Sequence, residues 1–593
     1  MNHLGNPHTF HIPVMGIGYS IDTAVRVAPY GISSVISLVD DMLMEKMREF
    51  YSHKLNIPFQ PISRRIKDFR AKRITSYLNL VDTMVREKFE EIKQSAIGKK
   101  EEFDRYIEML PDFSTLKKEF NELRAAKASM SEIKKWAQKR LSPGSIDVNI
   151  MTKLDKENYL QGETLPHEFN DAHAALRGFA ESNLESSIVL SAGMNPRLYA
   201  YLENFNDFYP DQSGYLKKKI VLKVSDYRSA IIQGKFLAKK GIWVSEYRVE
   251  SGLNCGGHAF ATDGFLLGPI LEAFKNSRED LIREVYELWS QALVTRNRPV
   301  PAEIPEMRIT AQGGVGTAEE QEFLMDYYGL DSVGWGTPFL LVPEAVTMDE
   351  ETRHQLCEST EEDVYLSGIS PLGVPFYSLK GNSKDVEKEE RIHNGSPGSP
   401  CPKRYACLDT EFTEKPICTA SREYQQMKIS QLDQMELSQT EYEARFDSIV
   451  EKSCICVGLG TASLLANDLN HRAEGPGVSV CPGPNMAYFT HEVSLPEMVG
   501  HIYGKNNVIE RTDRPHMFVK ELNIYVDYLK NRLAPRLNPA NPKEKKTLDS
   551  FRENVREGIR YYKDLFSGKL TKLQGKVEDV LKELDRKDAE LGT

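Results

Sequence analysis

Eight short runs rich in β-branched and apolar residues recur along the first 380 residues of the chain, and most of them close on Gly, Asn, Ser or Asp. They lie at 11–15, 33–38, 147–151, 187–191, 219–224, 241–247, 308–312 and 331–335, and between most of them runs a helix-patterned stretch. Strands that alternate with helices build a parallel sheet, and eight is the number that closes it into a (β/α)8 TIM barrel. The expected class is therefore α/β.

The 593 residues exceed one barrel of roughly 250 residues. Residues 41–142 read as a helical insertion after the second strand, with Ile74, Tyr77, Leu78, Val81 and Val85 spaced for one apolar face. That insertion is expected to cap the barrel mouth or to carry an interface. Residues 381–400, polar and rich in Gly, Ser and Pro, read as a linker between a barrel unit (1–380) and a Cys-containing, mostly helical C-terminal region (401–593).

The seventh run leads into Gln312-Gly313-Gly314-Val315-Gly316-Thr317, residues 318–325 read as a helix, and the eighth run leads into Gly334-Trp335-Gly336-Thr337. Glycine turns leaving neighbouring strands expose backbone N–H groups that can cradle one phosphate, which points to a phosphate-bearing cofactor. Upstream, Glu250 to His258 forms a loop after the sixth run, with Gly256 and Gly257 just before the histidine. Two glycines let the backbone approach a planar ligand, and an imidazole exchanges protons near neutral pH, so His258 is the candidate catalytic acid/base. Cys255 beside it reads as a small buried thiol.

A formal net charge of −10 argues against a nucleic-acid or anionic-membrane partner. No window reaches the roughly 20 apolar residues of a membrane span, and residues 1–11 lack a secretory pattern, so a cytoplasmic protein with reduced thiols is expected. The expected partner is a small-molecule substrate, with homo-oligomer formation left open.

Taken together these motifs resemble the FMN-dependent nitronate monooxygenases, also called 2-nitropropane dioxygenases, and the related FMN-dependent enoyl-acyl-carrier-protein reductases. The resemblance rests on Pro13-Val14-Met15-Gly16, Val148-Asn149, Ser191-Ala192-Gly193-Met194-Asn195-Pro196, Gly256-Gly257-His258, Gly313-Gly314-Val315-Gly316-Thr317 and Gly334-Trp335-Gly336-Thr337. It implies FMN as cofactor, with Asn149 at the isoalloxazine edge, Met15, Gly16, Gly256 and Gly257 near the ring, and His258 as acid/base. It also implies Gly313, Gly314, Gly316, Gly334, Trp335, Gly336 and Thr337 at the phosphate. The chain departs from the family pattern at Ser251-Gly252, Cys255 and Phe260, all on the substrate side.

Six of the eight cysteines fall between Cys401 and Cys481. Clustered thiolates bind zinc or an iron–sulfur cluster, with Cys407, Cys418, Cys454 and Cys456 as first ligand candidates; buried structural cysteines and a redox dithiol are the alternatives. The run Val457-Gly458-Leu459-Gly460-Thr461-Ala462 lacks full dinucleotide-loop spacing and reads as a turn.

The leading expectation is an FMN-dependent oxidoreductase that oxidises a small nitroalkane or nitronate with O2. An NAD(P)H- and FMN-dependent enoyl reductase, with or without an iron–sulfur cluster, is the alternative. A non-catalytic barrel scaffold is the third.

Overall fold

The structure is a computed structural model that describes residues 6–95, 101–191, 193–255, 263–533, 542–568 and 577–592. Eight parallel strands close a barrel: β1 (Phe10–Ile12), β2 (Ser33–Ser37), β3 (Ile146–Met151), β4 (Ser187–Ser191), β5 (Lys219–Val224), β6 (Val244–Glu250), β7 (Arg308–Gln312) and β8 (Ser332–Gly334), with β8 returning to β1. Most strand residues are buried, as parallel strands covered on both faces require. Registry aligns the C-terminal ends: Ser37 pairs with Asn149, Glu250 with Gln312, Gln312 with Gly334 and Gly334 with His11.

Inside and outside alternate along β6. Tyr247 meets Gly234 of the helix Tyr227–Ala238, so Glu246, Arg248 and Glu250 point into the barrel. Arg248 donates to Glu246 at 2.8 Å and the Thr310 hydroxyl donates to it at 2.6 Å, filling the interior with a closed polar layer.

The insertion after β2 contains the helices Asp41–Lys54, Phe69–Ser95, Glu101–Met109, Thr115–Ala125 and Met130–Arg140. Contrary to the expected cap, Phe69–Ser95 packs beside the crossover helices Thr23–Val27 and Asp171–Ala180, and so belongs to the ring around the barrel. Ile74, Tyr77, Leu78 and Val81 are fully buried there, and at the crossing a Cβ on Gly178 would come 2.8 Å from Ile74. Asp41 pins the helix start, receiving Arg70 at 2.6 Å and Arg73 at 3.0 Å.

The segment read as a linker is not an open loop. Residues 383–393 form a helix, capped where the Asn382 side chain accepts from the Asp385 N–H, with Lys384 and Asp385 buried. The charges that suggested mobility pair along the helix, Lys384 with Glu387, Lys388 with Asp385 and Arg391 with Glu387. Further on, the helices Met517–Leu533, Pro542–Gly568 and Val577–Gly592 pack together, and Pro542–Gly568 also rests on the helix Leu267–Thr295 that follows β6. Among the described residues no single helix is long and apolar enough to cross a membrane.

Candidate functional site

At the C-terminal ends of β1 to β6 lies a cavity lined by Gly16, Ser37, Asn149, Ser191, Lys223 and Glu250 on the barrel side, the face on which barrels of this kind carry their chemistry. Val14, Ile17 and Met151 make the rest of that side apolar. Lys223 and Glu250 end adjacent strands, so the lysine Nζ sits 2.6 Å from the carboxylate. The same Glu250 oxygen accepts from Asn254 at 2.6 Å and from Gln312 at 2.9 Å. Three donors on one oxygen fix the lysine head at the cavity wall.

Lys223, Glu250, Ser37 and Ser191 did not figure among the sequence candidates, although the sequence carried a signal for them. Each is a polar residue at or near the C-terminal end of an apolar strand, where an inward side chain has no core to join. Of the expected ring-side residues, Asn149 and Gly16 do line the cavity. Met15 is fully buried, and its N–H donates to the Ser20 hydroxyl at 2.9 Å. His258, Gly256 and Gly257 lie outside the described residues.

The two glycine turns stand side by side, as the pairing of β7 with β8 dictates, but several of their groups already have partners. The Gly316 N–H donates to the Glu320 carboxylate at 2.9 Å, and Arg514 holds that carboxylate at 2.8 Å. Burial pushes the Glu320 carboxyl up, yet Arg514 and the Gly316 N–H outweigh it and leave it below its ordinary value. The Trp335 N–H continues the ladder to His11 at 3.0 Å, and its indole donates to Gln321 at 2.6 Å. Gly313 and Gly314 have φ of 107° and 87°, and a Cβ on Gly314 would come 2.3 Å from Leu253. Only glycine tolerates that backbone at that spacing.

A roof from the C-terminal region covers the mouth. Asn485 donates to the Val315 carbonyl at 3.0 Å, His501 contacts the Gly316 carbonyl at 2.8 Å, and a Cβ on Gly483 would come 2.8 Å from the Thr337 hydroxyl. The Cys255 thiol donates to the Cys481 carbonyl at 3.2 Å. Gly336 faces Pro13 and Cys255, the latter's Cβ 3.4 Å from where a Cβ would stand.

The run 457–462, read as a turn, is instead the middle of the buried helix Ile455–Ala466. Packing selects small residues on both sides of it: a Cβ on its Gly458 would stand 2.2 Å from the Ser479 hydroxyl, and one on Gly18, in the loop after β1, would stand 2.9 Å from the Leu459 carbonyl. Ala406, Ile455, Cys456 and Leu459 close the cavity from above.

FMN can be tested against these residues. At the ring end the donor chemistry fits, because an amide, two hydroxyls and a lysine converge on an apolar cavity. At the phosphate end Gly316 and Trp335 have given their N–H groups elsewhere, leaving Gly313, Gly314, Gly336 and Thr337 as the turn residues that would hold the phosphate. The cavity measures about 80 Å³, below the roughly 300–1,000 Å³ of ligand pockets, so as it stands it is too small to enclose a whole flavin.

The C-terminal cysteines are brought together. A parallel bridge between Ser399 and Ser421 and an antiparallel bridge between Asp409 and Ile417 fold the segment so that Cys401, Cys407 and Cys418 share one buried cluster. Cys454 and Cys456 stand nearby at the start of the helix Ile455–Ala466, close enough for the thiols of Cys401, Cys407, Cys418, Cys454 and Cys456 to act on one another's titration. Among the described residues no group of three or more His, Cys, Asp or Glu forms a site for a metal ion as the chain stands, so the zinc expectation for Cys407, Cys418, Cys454 and Cys456 is not met.

No family model and no curated protein matches the chain. Similar solved structures include the enoyl reductase domain of MlnA from the macrolactin biosynthesis cluster of Bacillus amyloliquefaciens, at 14% identity and TM-score 0.32 over 74% of this chain and 88% of that one. FabK from Thermotoga maritima aligns at 11% identity and TM-score 0.33, over 88% and 96%. Nitroalkane oxidase from Streptomyces ansochromogenes aligns at 12% and 0.28, over 63% and 84%. Likeness at this level carries no argument about activity, which has to come from the site itself.

Proposed function

We propose that the protein is an FMN-dependent oxidoreductase acting on a small substrate in the cavity at the barrel mouth. The observation that carries this reading is the Asn149, Lys223 and Glu250 constellation at three strand ends, facing an apolar cavity. FMN, when bound, supplies hydride and single-electron chemistry. The chain's own residues would do the rest: Asn149 would offer its amide to the ring edge, and Lys223, held by Glu250, would supply a cation at the cavity wall. The apolar wall and the roof keep water out. His258, in the loop after β6, is the proposed proton donor or acceptor.

Two activities suit this arrangement, oxidation of a nitronate with O2 and reduction of a conjugated C=C bond by NAD(P)H. The deciding experiment is purification followed by flavin analysis, then anaerobic bleaching by NADH or NADPH against bleaching by a nitroalkane. Bound FMN bleached by a nicotinamide supports the reductase. Bleaching by the nitroalkane alone transfers the assignment to the monooxygenase, and a chain that refuses FMN removes both.

A further inference from the structure

The cysteine nest holds five thiols, all buried, drawn from a 56-residue stretch that the fold gathers over the barrel mouth. Cys401 is its hub. The residue adopts a left-handed backbone, φ 53°, which a β-carbon ordinarily disfavours, and its N–H donates to the Ser399 hydroxyl at 3.3 Å. Cys454 stands at the N-cap position of the helix Ile455–Ala466, whose N-terminal N–H groups favour negative charge. Nothing about packing four such thiols against one another is required by a hydrophobic core, which leucine or valine would fill better.

The loop carrying the nest is anchored rather than free. Lys403 forms a buried ion pair with Asp40, and the Tyr405 hydroxyl donates to Asp40 at 2.9 Å, fastening residues 401–407 to the end of β2. Positive side chains near the sulfurs favour their anionic form: Arg404 and Lys156 act on Cys407, Lys384 on Cys454 and Lys403 on Cys456. Buried thiolates are tolerable only with such compensation.

A single ion needs its sulfurs about 2.3 Å from one point, and no described group closes that tightly. A polynuclear cluster has a wider core and takes four thiolates. We propose that Cys401, Cys407, Cys418 and Cys454 ligate an iron–sulfur cluster, and that Cys456 is a fifth, non-ligating thiol between the cluster and the cavity. This replaces Cys456 by Cys401 in the ligand set expected from the sequence. Because Ala406 and Ile455, the immediate chain neighbours of two ligands, line the cavity together with Cys456, the cluster stands at its wall. Its role there rests on the flavin reading: an external one-electron carrier protein, in place of NAD(P)H, would reduce the flavin through the cluster in two single-electron transfers for each two-electron turnover.

The test is iron and acid-labile sulfide measured on full-length protein purified without oxygen, alongside flavin content. Roughly 2–4 iron and a similar amount of sulfide per chain, with an EPR signal after dithionite reduction, is the expected result. Cys401→Ser and Cys418→Ser should each lose most of the iron. Cys456→Ser and the remote Cys357→Ser should keep it. Should the wild-type chain, after anaerobic reconstitution with ferrous iron and sulfide, carry zinc or no metal, the cluster is overturned; loss of iron in Cys456→Ser with retention in Cys401→Ser overturns the ligand set. Flavin content is a separate readout: iron without flavin sinks the oxidoreductase reading and leaves the cluster standing.

Discussion

Glu521 ties the helix Met517–Leu533 to both sides of the loop after β6. Its carboxyl accepts from the Ser251 hydroxyl at 2.9 Å, from the Leu267 N–H at 2.9 Å and from the Tyr562 hydroxyl at 3.2 Å. Burial nevertheless dominates and raises it from 4.5 to about 7. The folded chain thus holds a proton that the unfolded chain releases from about pH 4.5 upward, so this contribution to stability is complete below pH 4.5 and gone once the pH has risen past about 7. Thermal midpoints taken from pH 4.5 to 8 should fall across that window, and Glu521→Gln should flatten the fall while lowering stability by about 1–3 kcal/mol at low pH. An unchanged slope in the variant would show that another group titrates there. His258 belongs to the same scale: His258→Ala should retain FMN and lose turnover by about 10²-fold or more, the loss expected for a general acid/base. Full turnover in that variant moves the proton step to another group.

At the scale of elements, glycines placed where helices and straps meet have the clearest consequences. In Gly458→Val the new side chain would start 2.2 Å from the Ser479 hydroxyl, so the helix Ile455–Ala466 and the strap over the barrel could no longer seat together. Overpacking of that kind costs about 1–3 kcal/mol, and limited proteolysis should cut first near 479. If the variant melts and digests like the wild type, the strap is not seated by this contact. The same helix shows where sequence reading stops. Three of the eight strands, β4, β5 and β7, were legible to the residue because a parallel strand buried on both faces is a compact apolar run. Gly458 and Gly460 looked like a turn because close approach and positive φ select glycine alike, and only the neighbour at Ser479 separates the two reasons. Lys384 and Asp385 looked like linker because charge density alone does not reveal i, i+3 pairing under a cap. Asn149 and Gly16, which line the cavity, stand in motifs visible in the sequence, whereas Lys223 and Glu250 meet there only when registry sets β5 beside β6.

Over the whole molecule, the barrel supplies an aligned ring of strand ends and the C-terminal region supplies the lid, so neither half makes the cavity alone. What keeps that ring aligned from within is the polar layer around Glu246. Burial pushes its carboxyl up, but Arg248, Arg308 and His11 pull harder and bring it down from 4.5 to about 2. A depressed carboxyl contributes stability above its unfolded value and loses it as the pH falls, so the wild type should weaken progressively between about pH 4.5 and pH 2. Glu246→Gln leaves Arg248 buried without its anion, and removal of one partner from such a pair costs about 3–5 kcal/mol at neutral pH. Because the layer joins β1, β6 and β7, the loss should reach the mouth: the variant should release bound flavin at lower denaturant concentration than it loses helical circular dichroism. Coincident transitions in both proteins would mean that the interior layer and the mouth are not coupled in this way.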